Sequence, residues 1–166
     1  MAGQLICSAI SPHSPRMGIE ANAPDFIRPM IASSRELSAA LLAMKPDLIV
    51  VNSTHWITTF PWYVTCHDHH RGHCVADEAP DMIPGQLYDR PGDPQFGRAL
   101  VDAIKAAGII AGRNESPHYH WDYGSYVPLH YLDPGQTIPV VTMGTCLMAN
   151  LDECLKVGAI IRTVVE

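Results

Sequence analysis

The residues best suited to chemistry in this sequence are histidines, and two of them directly follow segments that are typical of strands. The chain has nine histidines, of which His13 comes after the apolar residues 5–10 and His55 comes after the apolar residues 48–51. Neutral imidazole is a common ligand of iron, zinc and copper. Two histidines that meet at one edge of a sheet would therefore hold a divalent metal. The alternative is that each is an ordinary polar residue of a loop.

A second concentration of possible ligands lies in residues 66–74, where cysteines, histidines and an aspartate occur together. This composition suggests zinc, but structural zinc sites usually pair two short ligand clusters across a longer loop, and no second cluster follows. We therefore expect residues 66–74 to form the rim or lid of an active site, with a zinc-binding module as the alternative. The five cysteines of the chain are odd in number and irregularly spaced, which indicates reduced thiols rather than disulfides.

The elements that would position His13 and His55 form the start of a parallel sheet. Residues 5–10 are predicted to be a strand that ends at the prolines around His13, residues 30–45 a helix that ends before Pro46, and residues 48–51 a buried strand. This order of strand, helix and strand is the unit of a parallel sheet, and it places both histidines at carboxyl ends of strands. Ligands of open α/β sheets bind at such ends.

The rest of the sequence continues the same alternation after one interruption. Residues 60–94 are rich in Pro, Gly, His and Asp and are predicted to form an irregular insertion or a small hairpin. The later predictions are a helix at 94–108, a strand from 109, an aromatic stretch with a Gly-Ser turn at 121–132, a strand at 138–143 and a helix at 151–165. The pattern predicts an α/β fold, a mostly parallel sheet flanked by helices, in a single metal-binding domain over residues 1–166.

The composition limits the kinds of partner that we expect. Charged residues make up 17% and the net charge is −6, with no run of basic residues, so neither nucleic acid nor an anionic membrane is an expected partner. The longest apolar run is far shorter than the roughly 20 residues that span a bilayer. The N-terminus has no signal-peptide pattern, so we expect a cytoplasmic protein whose partners are a small molecule and other subunits.

Five short motifs resemble those of a known enzyme family: residues 11–15 (Ser-Pro-His-Ser-Pro), 44–47 (Met-Lys-Pro-Asp), 53–58 (Ser-Thr-His-Trp-Ile-Thr), 121–124 (Trp-Asp-Tyr-Gly) and 138–141 (Ile-Pro-Val-Val). Their order and spacing resemble the class III extradiol ring-cleavage dioxygenases, the superfamily that includes the β subunit of protocatechuate 4,5-dioxygenase. The resemblance implies an Fe(II)-dependent oxidoreductase that opens a catechol-type or 2-aminophenol-type ring with O2 in aromatic catabolism. It also implies a homo- or hetero-oligomer.

The same resemblance implies roles for individual residues. His13 and His55 correspond to the two histidine ligands of the family's two-His, one-carboxylate metal site, which leaves positions open for substrate and dioxygen. Where much of the family has Asp-His-Gly, this chain has Asp122-Tyr123-Gly124, as in the aminophenol branch. Tyr123 would thus be a catalytic residue that exchanges a hydrogen bond with the substrate, and Asp122 a weaker substrate contact. The alternative for Tyr123 is a buried aromatic residue whose hydroxyl is bonded within the protein.

Neither the third metal ligand nor an acid-base histidine is identifiable in this chain. In the family both come from a later part of the sequence, and Glu153 and Glu166, in or beside the last predicted helix, match no family motif. His118 and His120 alternate just before position 122, and we expect them at the surface or behind the residues that touch the ligand. The chain thus resembles only the N-terminal part of a family member. It is a fragment, or it is completed by another chain, or it is a noncatalytic structural or binding subunit.

Overall fold

Ten helices and strands organise residues 3–165, the part of the chain that this computed structural model describes. In chain order they are α1 (Arg28–Ala43), β1 (Ile49–Thr58), β2 (Trp62–Thr65), β3 (His69–His73), β4 (Leu87–Pro91), α2 (Pro94–Ala106), β5 (Ala111–Asn114), α3 (Tyr123–Leu132), β6 (Val140–Cys146) and α4 (Leu151–Val165). None of the helices described within residues 3–165 is long and apolar enough to cross a membrane.

The central sheet has four strands in the order β1, β6, β2, β5. The β1/β6 and β2/β5 pairs are parallel, and only β2 and β6 run antiparallel. Strand β6 is buried along nearly all of its length, as expected for an apolar strand covered on both faces. The predicted α/β class and the mostly parallel sheet flanked by helices are therefore confirmed.

Helices cover the sheet over two apolar clusters, one on each side. In one cluster α1 and α3 pack together, with Ile31 and Leu129 among the buried residues. In the other, α2 contributes Leu100 and Ile104, which are fully buried and pack with residues of β2, β6 and α4. Each such side chain contributes roughly 1.5–3 kcal/mol when it is fully buried. The helices predicted at 30–45, 94–108 and 151–165 are confirmed with small shifts of their ends.

The first predicted strand is not formed. Residues 3–14 contain no helix or strand, and Ile10 in this segment is fully exposed. A strand is stable only when a neighbour pairs with its backbone N–H and C=O groups, and no described strand pairs with this segment. The prediction of a strand at 5–10 is therefore wrong, and His13 lies in an extended segment just before the short 3-10 turn Pro15–Met17.

The aromatic stretch predicted at 121–132 as irregular is mainly a helix, α3. Asp122 caps its N-terminus by accepting a hydrogen bond from the Ser125 N–H, at 3.0 Å. Nearly every residue of α3 is buried, so it has no polar face and therefore no amphipathic period by which to recognise it. Gly124 and Ser125, the predicted Gly-Ser turn, lie inside this helix.

Residues 60–94, predicted as an irregular insertion or a small hairpin, do form a two-stranded hairpin of β3 and β4, but they also include β2, which belongs to the central sheet. The hairpin is attached to α3 by Arg90, whose Nη1 donates to the Asp133 carboxylate at 2.6 Å and whose Nη2 donates to the Leu129 carbonyl at 2.7 Å. Arg90 and Asp133 are both almost fully buried. Buried charges of this kind are tolerated only when paired and hydrogen-bonded, so the hairpin is fixed to the helical layer next to the site.

Candidate functional site

A bulge in β1 determines the position of His55. The pairing of β1 with β6 shifts between Ser53 and Ile57, so the residues between them leave the regular ladder. The sequence predicted that the chain turns out of the strand after residue 51, whereas β1 continues to Thr58 beyond the bulge. Bulges change the direction of side chains and are common beside functional sites. The bulge aims the His55 ring toward the extended segment that carries His13.

The two histidines lie close together although they are far apart in the chain. Thr54, the residue before His55, is 41 positions after His13. The ring centroids of His13 and His55 are 5.2 Å apart, and the ring planes are nearly perpendicular at 76°. The His13 Nε2 lies 3.3 Å from the Thr54 hydroxyl, which ties the extended segment to β1. Metal-nitrogen bonds are about 2.0–2.1 Å long, so two rings at this separation fit as ligands of one ion. Their role as ligands stays a prediction.

Tyr123 lies directly against this pair. Its ring centroid is 4.0 Å from that of His55 and 6.1 Å from that of His13. Its hydroxyl donates a hydrogen bond of 2.7 Å to Oε1 of Glu78, a residue of the loop between β3 and β4, and the same oxygen is 3.3 Å from Nδ1 of His55. The hydrogen bond from Tyr123 lowers the pKa of the Glu78 carboxyl. Burial and the bond to Glu78 raise the pKa of Tyr123 to about 12, so its hydroxyl is protonated at neutral pH.

Asp122 and Gly124 hold the bulge against α3. The Ser53 hydroxyl donates to Asp122 Oδ1 at 2.6 Å, and that oxygen also caps α3. A Cβ atom on Gly124 would lie 2.9 Å from the His55 ring and 2.8 Å from Asp122 Oδ1, so only glycine leaves room for the ring. Oδ1 of Asp122 is thus engaged by the protein itself, and a substrate contact through Asp122 stays a prediction.

Comparison with known families identifies the family of this chain. The family model described as the catalytic LigB subunit of aromatic ring-opening dioxygenase matches residues 8–166. The chain belongs to this family. The match includes His13, His55 and Tyr123, and it confirms the resemblance inferred from the five sequence motifs.

Individual relatives of this LigB-family chain are considerably longer. It is 28% identical over 137 residues to the 3,4-dihydroxyphenylacetate 2,3-dioxygenase of Escherichia coli, covering 82% of this chain and 50% of that protein. It is 27% identical over 148 residues to the 2-aminophenol 1,6-dioxygenase beta subunit of a Pseudomonas species, covering 85% and 48%. Among solved structures, an uncharacterized protein of Escherichia coli K12 is 25% identical, with a TM-score of 0.49, and the match covers 66% of this chain and 38% of that one. The chain spans about half the length of the curated relatives that it matches.

Of the three ligands predicted for a two-His, one-carboxylate site, this LigB-family chain contains the two candidate histidines, whose role stays a prediction. Within residues 3–165, no group of three or more His, Cys, Asp or Glu side chains is arranged to hold a metal ion. Glu153 on α4 accepts a hydrogen bond of 2.8 Å from the Trp62 indole, and Glu166 lies outside the described residues. Two adjacent imidazoles fit the histidine part of such a site.

Residues 66–74 do not converge on a common point. Successive side chains of a strand point to opposite faces, so His69 is exposed and paired with Asp89, whereas His70 is buried and donates from Nε2 to the Val140 carbonyl at 2.9 Å. Burial raises the pKa of the Cys66 thiol, and it raises that of Cys74 to about 12. The zinc alternative is disfavoured because the side chains of this segment point to different faces.

The remaining histidines near the site have separate surroundings. His118 is exposed, and the half-buried His120 packs against His73, with 4.6 Å between ring centroids. The prediction that His118 and His120 lie at the surface or behind the ligand-contacting residues matches these positions.

Sequence reasoning missed Glu78. It lies in an acidic loop beside Asp77 and Asp81, where no motif or period distinguishes one carboxylate from another. Only the fold of the loop brings the carboxylate of Glu78, and not that of its neighbour Asp77, to both His55 and Tyr123. The separation of Glu78 from these residues in the sequence leaves no local signal by which to find it.

Proposed function

We propose that this chain is the histidine-bearing part of a non-haem Fe(II)-dependent extradiol dioxygenase that opens catechol-type or 2-aminophenol-type rings with O2. The observation that carries the proposal is the 5.2 Å approach of the His13 and His55 rings, with Tyr123 beside them, in a chain of the LigB family. The names of two relatives, a dihydroxyphenylacetate dioxygenase and an aminophenol dioxygenase subunit, support a ring with adjacent hydroxyl or hydroxyl and amino groups.

In this proposal His13 and His55 are the two neutral nitrogen ligands. Fe(II), when bound, supplies adjacent open positions for substrate and dioxygen and passes electrons between them. Thr54 holds the His13 ring in place, and the β1 bulge holds His55.

Tyr123 is the proposed catalytic residue that contacts the substrate. Its ring lies against His55 and is almost fully buried in the protein, which fixes the tyrosine beside the site. Its hydroxyl is protonated at neutral pH and lies at the histidine pair, where the polar substituents of the ring would bind.

The third ligand and the acid-base histidine are proposed to come from the part of the relatives' length that this chain does not span. They would lie on the same polypeptide or on another subunit, in a cytoplasmic homo- or hetero-oligomer. The relative named as a beta subunit supports assembly with other chains.

The test is to replace His13 and His55 separately with Ala in the complete native protein or complex. We expect both variants to lose bound iron, measured by mass spectrometry, and ring-cleavage activity, measured by absorbance of the opened product. His69→Ala, an exposed histidine of the hairpin, is the matched control and should keep both. Full iron content and activity in His13→Ala and His55→Ala would overturn the proposal.

A noncatalytic subunit that keeps the fold is the second candidate. It is favoured by the finding that two histidines, without a third convergent ligand, are present within residues 3–165. Purified native complex in which this chain carries no iron, while another chain carries all of it, would favour this candidate over the first.

A further inference from the structure

Glu78 makes two contacts at the site with a single oxygen. Oε1 accepts the 2.7 Å hydrogen bond from the Tyr123 hydroxyl and lies 3.3 Å from Nδ1 of His55. The Glu78 side chain is 57% exposed, so packing in the core does not explain its position. The two contacts at the site account for it.

The contact with His55 selects one form of the imidazole ring. A carboxylate only accepts hydrogen bonds, so Nδ1 of a neutral His55 carries the proton when it faces Glu78. Nε2 then has the free electron pair that a metal requires. Histidines that bind metals commonly donate their other ring N–H to a carboxylate, which fixes the ring and makes the ligand nitrogen more basic.

The contact between Glu78 and Tyr123 determines where the proton of the Tyr123 hydroxyl lies. A phenol has one proton, and the Tyr123 hydroxyl directs it to Glu78. The remaining electron pairs of the Tyr123 oxygen can only accept. A substrate group that meets this oxygen must therefore bring its own proton, as a hydroxyl or amino group does and as an ether or a ketone does not.

We infer that Glu78 is the positioning residue of the site: it directs the Nε2 electron pair of His55 to the metal and makes Tyr123 an acceptor for a substrate O–H or N–H. This inference rests on the proposed function, in which His55 is a metal ligand. It assigns a role to a residue of the hairpin loop, and it restricts the substrate to a ring with a hydrogen-bond donor facing Tyr123.

The first measurement is the ring form of His55 in the metal-free protein. Two-bond 15N–1H spectra distinguish the two neutral forms, and the His55 signals are assigned by their loss in His55→Ala. We expect the Nδ1–H form in the native protein and a shift toward the Nε2–H form in Glu78→Ala. Glu78→Gln keeps an acceptor oxygen and should preserve the native form. A native His55 in the Nε2–H form, or one that Glu78→Ala does not change, would overturn the inference.

The second measurement is the affinity for Fe(II), titrated without oxygen in the complete protein. Loss of such a carboxylate partner typically lowers metal affinity about 10–100-fold, which we expect for Glu78→Ala, with a smaller loss for Glu78→Gln. Asp77→Ala removes the adjacent exposed carboxylate and should leave the affinity unchanged. Thermal unfolding checks that all variants fold.

The two proposals fail differently in this experiment. If His55→Ala binds Fe(II) as well as the native protein does, the proposed function is wrong, and the role of Glu78 falls with it. If His55→Ala loses the metal but Glu78→Ala binds it normally, the proposed function stands and only the role of Glu78 is wrong.

Discussion

Two histidine-rich regions of this protein differ in what their histidines contact. His13 and His55 come from distant parts of the chain, yet their ring centroids are 5.2 Å apart, and the ring of Tyr123 packs against that of His55. The histidines of residues 66–74 are close in sequence, yet the hairpin distributes them over two faces, where His70 bonds a backbone carbonyl and His69 pairs with Asp89. A high local density of ligand residues therefore does not make a site, because neighbours in a strand diverge.

The comparison also separates structural from chemical roles. The candidate site depends on contacts between the side chains of His55, Glu78 and Tyr123. The hairpin depends on side chains that satisfy the backbone and the core, such as His70. Changes in the strands β3 and β4 should thus alter stability and leave metal binding intact, whereas changes at the bulge should alter both. Glu78, in the loop between these two strands, belongs to the site and not to this structural part of the hairpin.

The largest expected effect is on the pH dependence of stability, through His70. Burial lowers its pKa to about 4, so between pH 6.5 and 4 the unfolded chain binds a proton that the folded chain does not. Stability therefore falls as the pH falls through this window, by about 2 kcal/mol at pH 5 relative to pH 7 from this residue alone. His70→Gln keeps a donor for the Val140 carbonyl and should remove that part of the loss, as measured by urea unfolding at both pH values.

The control for this prediction is His118→Gln, whose ring is exposed. It should keep the native loss of stability at pH 5. If His70→Gln loses as much stability at pH 5 as the native protein does, His70 is not held neutral by burial.

A smaller effect is expected for Gly124→Ala in the candidate site, where Gly124 lies against the His55 ring. The new Cβ would lie 2.9 Å from the His55 ring, and overpacking of this kind costs about 1–3 kcal/mol, offset by up to about 1 kcal/mol that Ala gains in a helix. Because the His55 ring must move, the affinity for Fe(II) should fall together with stability, as measured by titration and urea unfolding.

Gly158→Ala on α4 is the matched control, because nothing lies within 4 Å of the added Cβ. It should stabilise the protein slightly and leave metal binding unchanged. Normal Fe(II) affinity in Gly124→Ala would show that the position of the His55 ring does not matter for binding.

The smallest effect is expected from the cysteines of the hairpin region. The double variant Cys66→Ser, Cys74→Ser should keep its full metal content, because within residues 3–165 neither thiol belongs to a group of three or more side chains arranged to hold a metal ion. Metal analysis of the purified variant checks this. A stoichiometric loss of zinc would restore the zinc-binding alternative for residues 66–74.

Periodicity in the sequence was sufficient for most elements of the fold. Helices α2 and α4 and the strand β6 were predicted because their apolar residues follow a helical period or a continuous buried run. It failed where the tertiary environment overrides the local pattern. Residues 5–10 have the composition of a strand but no partner strand, and α3 is buried on all sides, so its sequence has no amphipathic period.

The sequence by itself determined the family, the α/β class and the choice of His13, His55 and Tyr123 as site residues, because these depend on short motifs in a fixed order. Only the tertiary structure decided the approach of the two rings and the place of Glu78 between His55 and Tyr123. The physical reason is that such contacts depend on a strand bulge and a loop conformation, which arise from packing and backbone pairing between segments far apart in the chain.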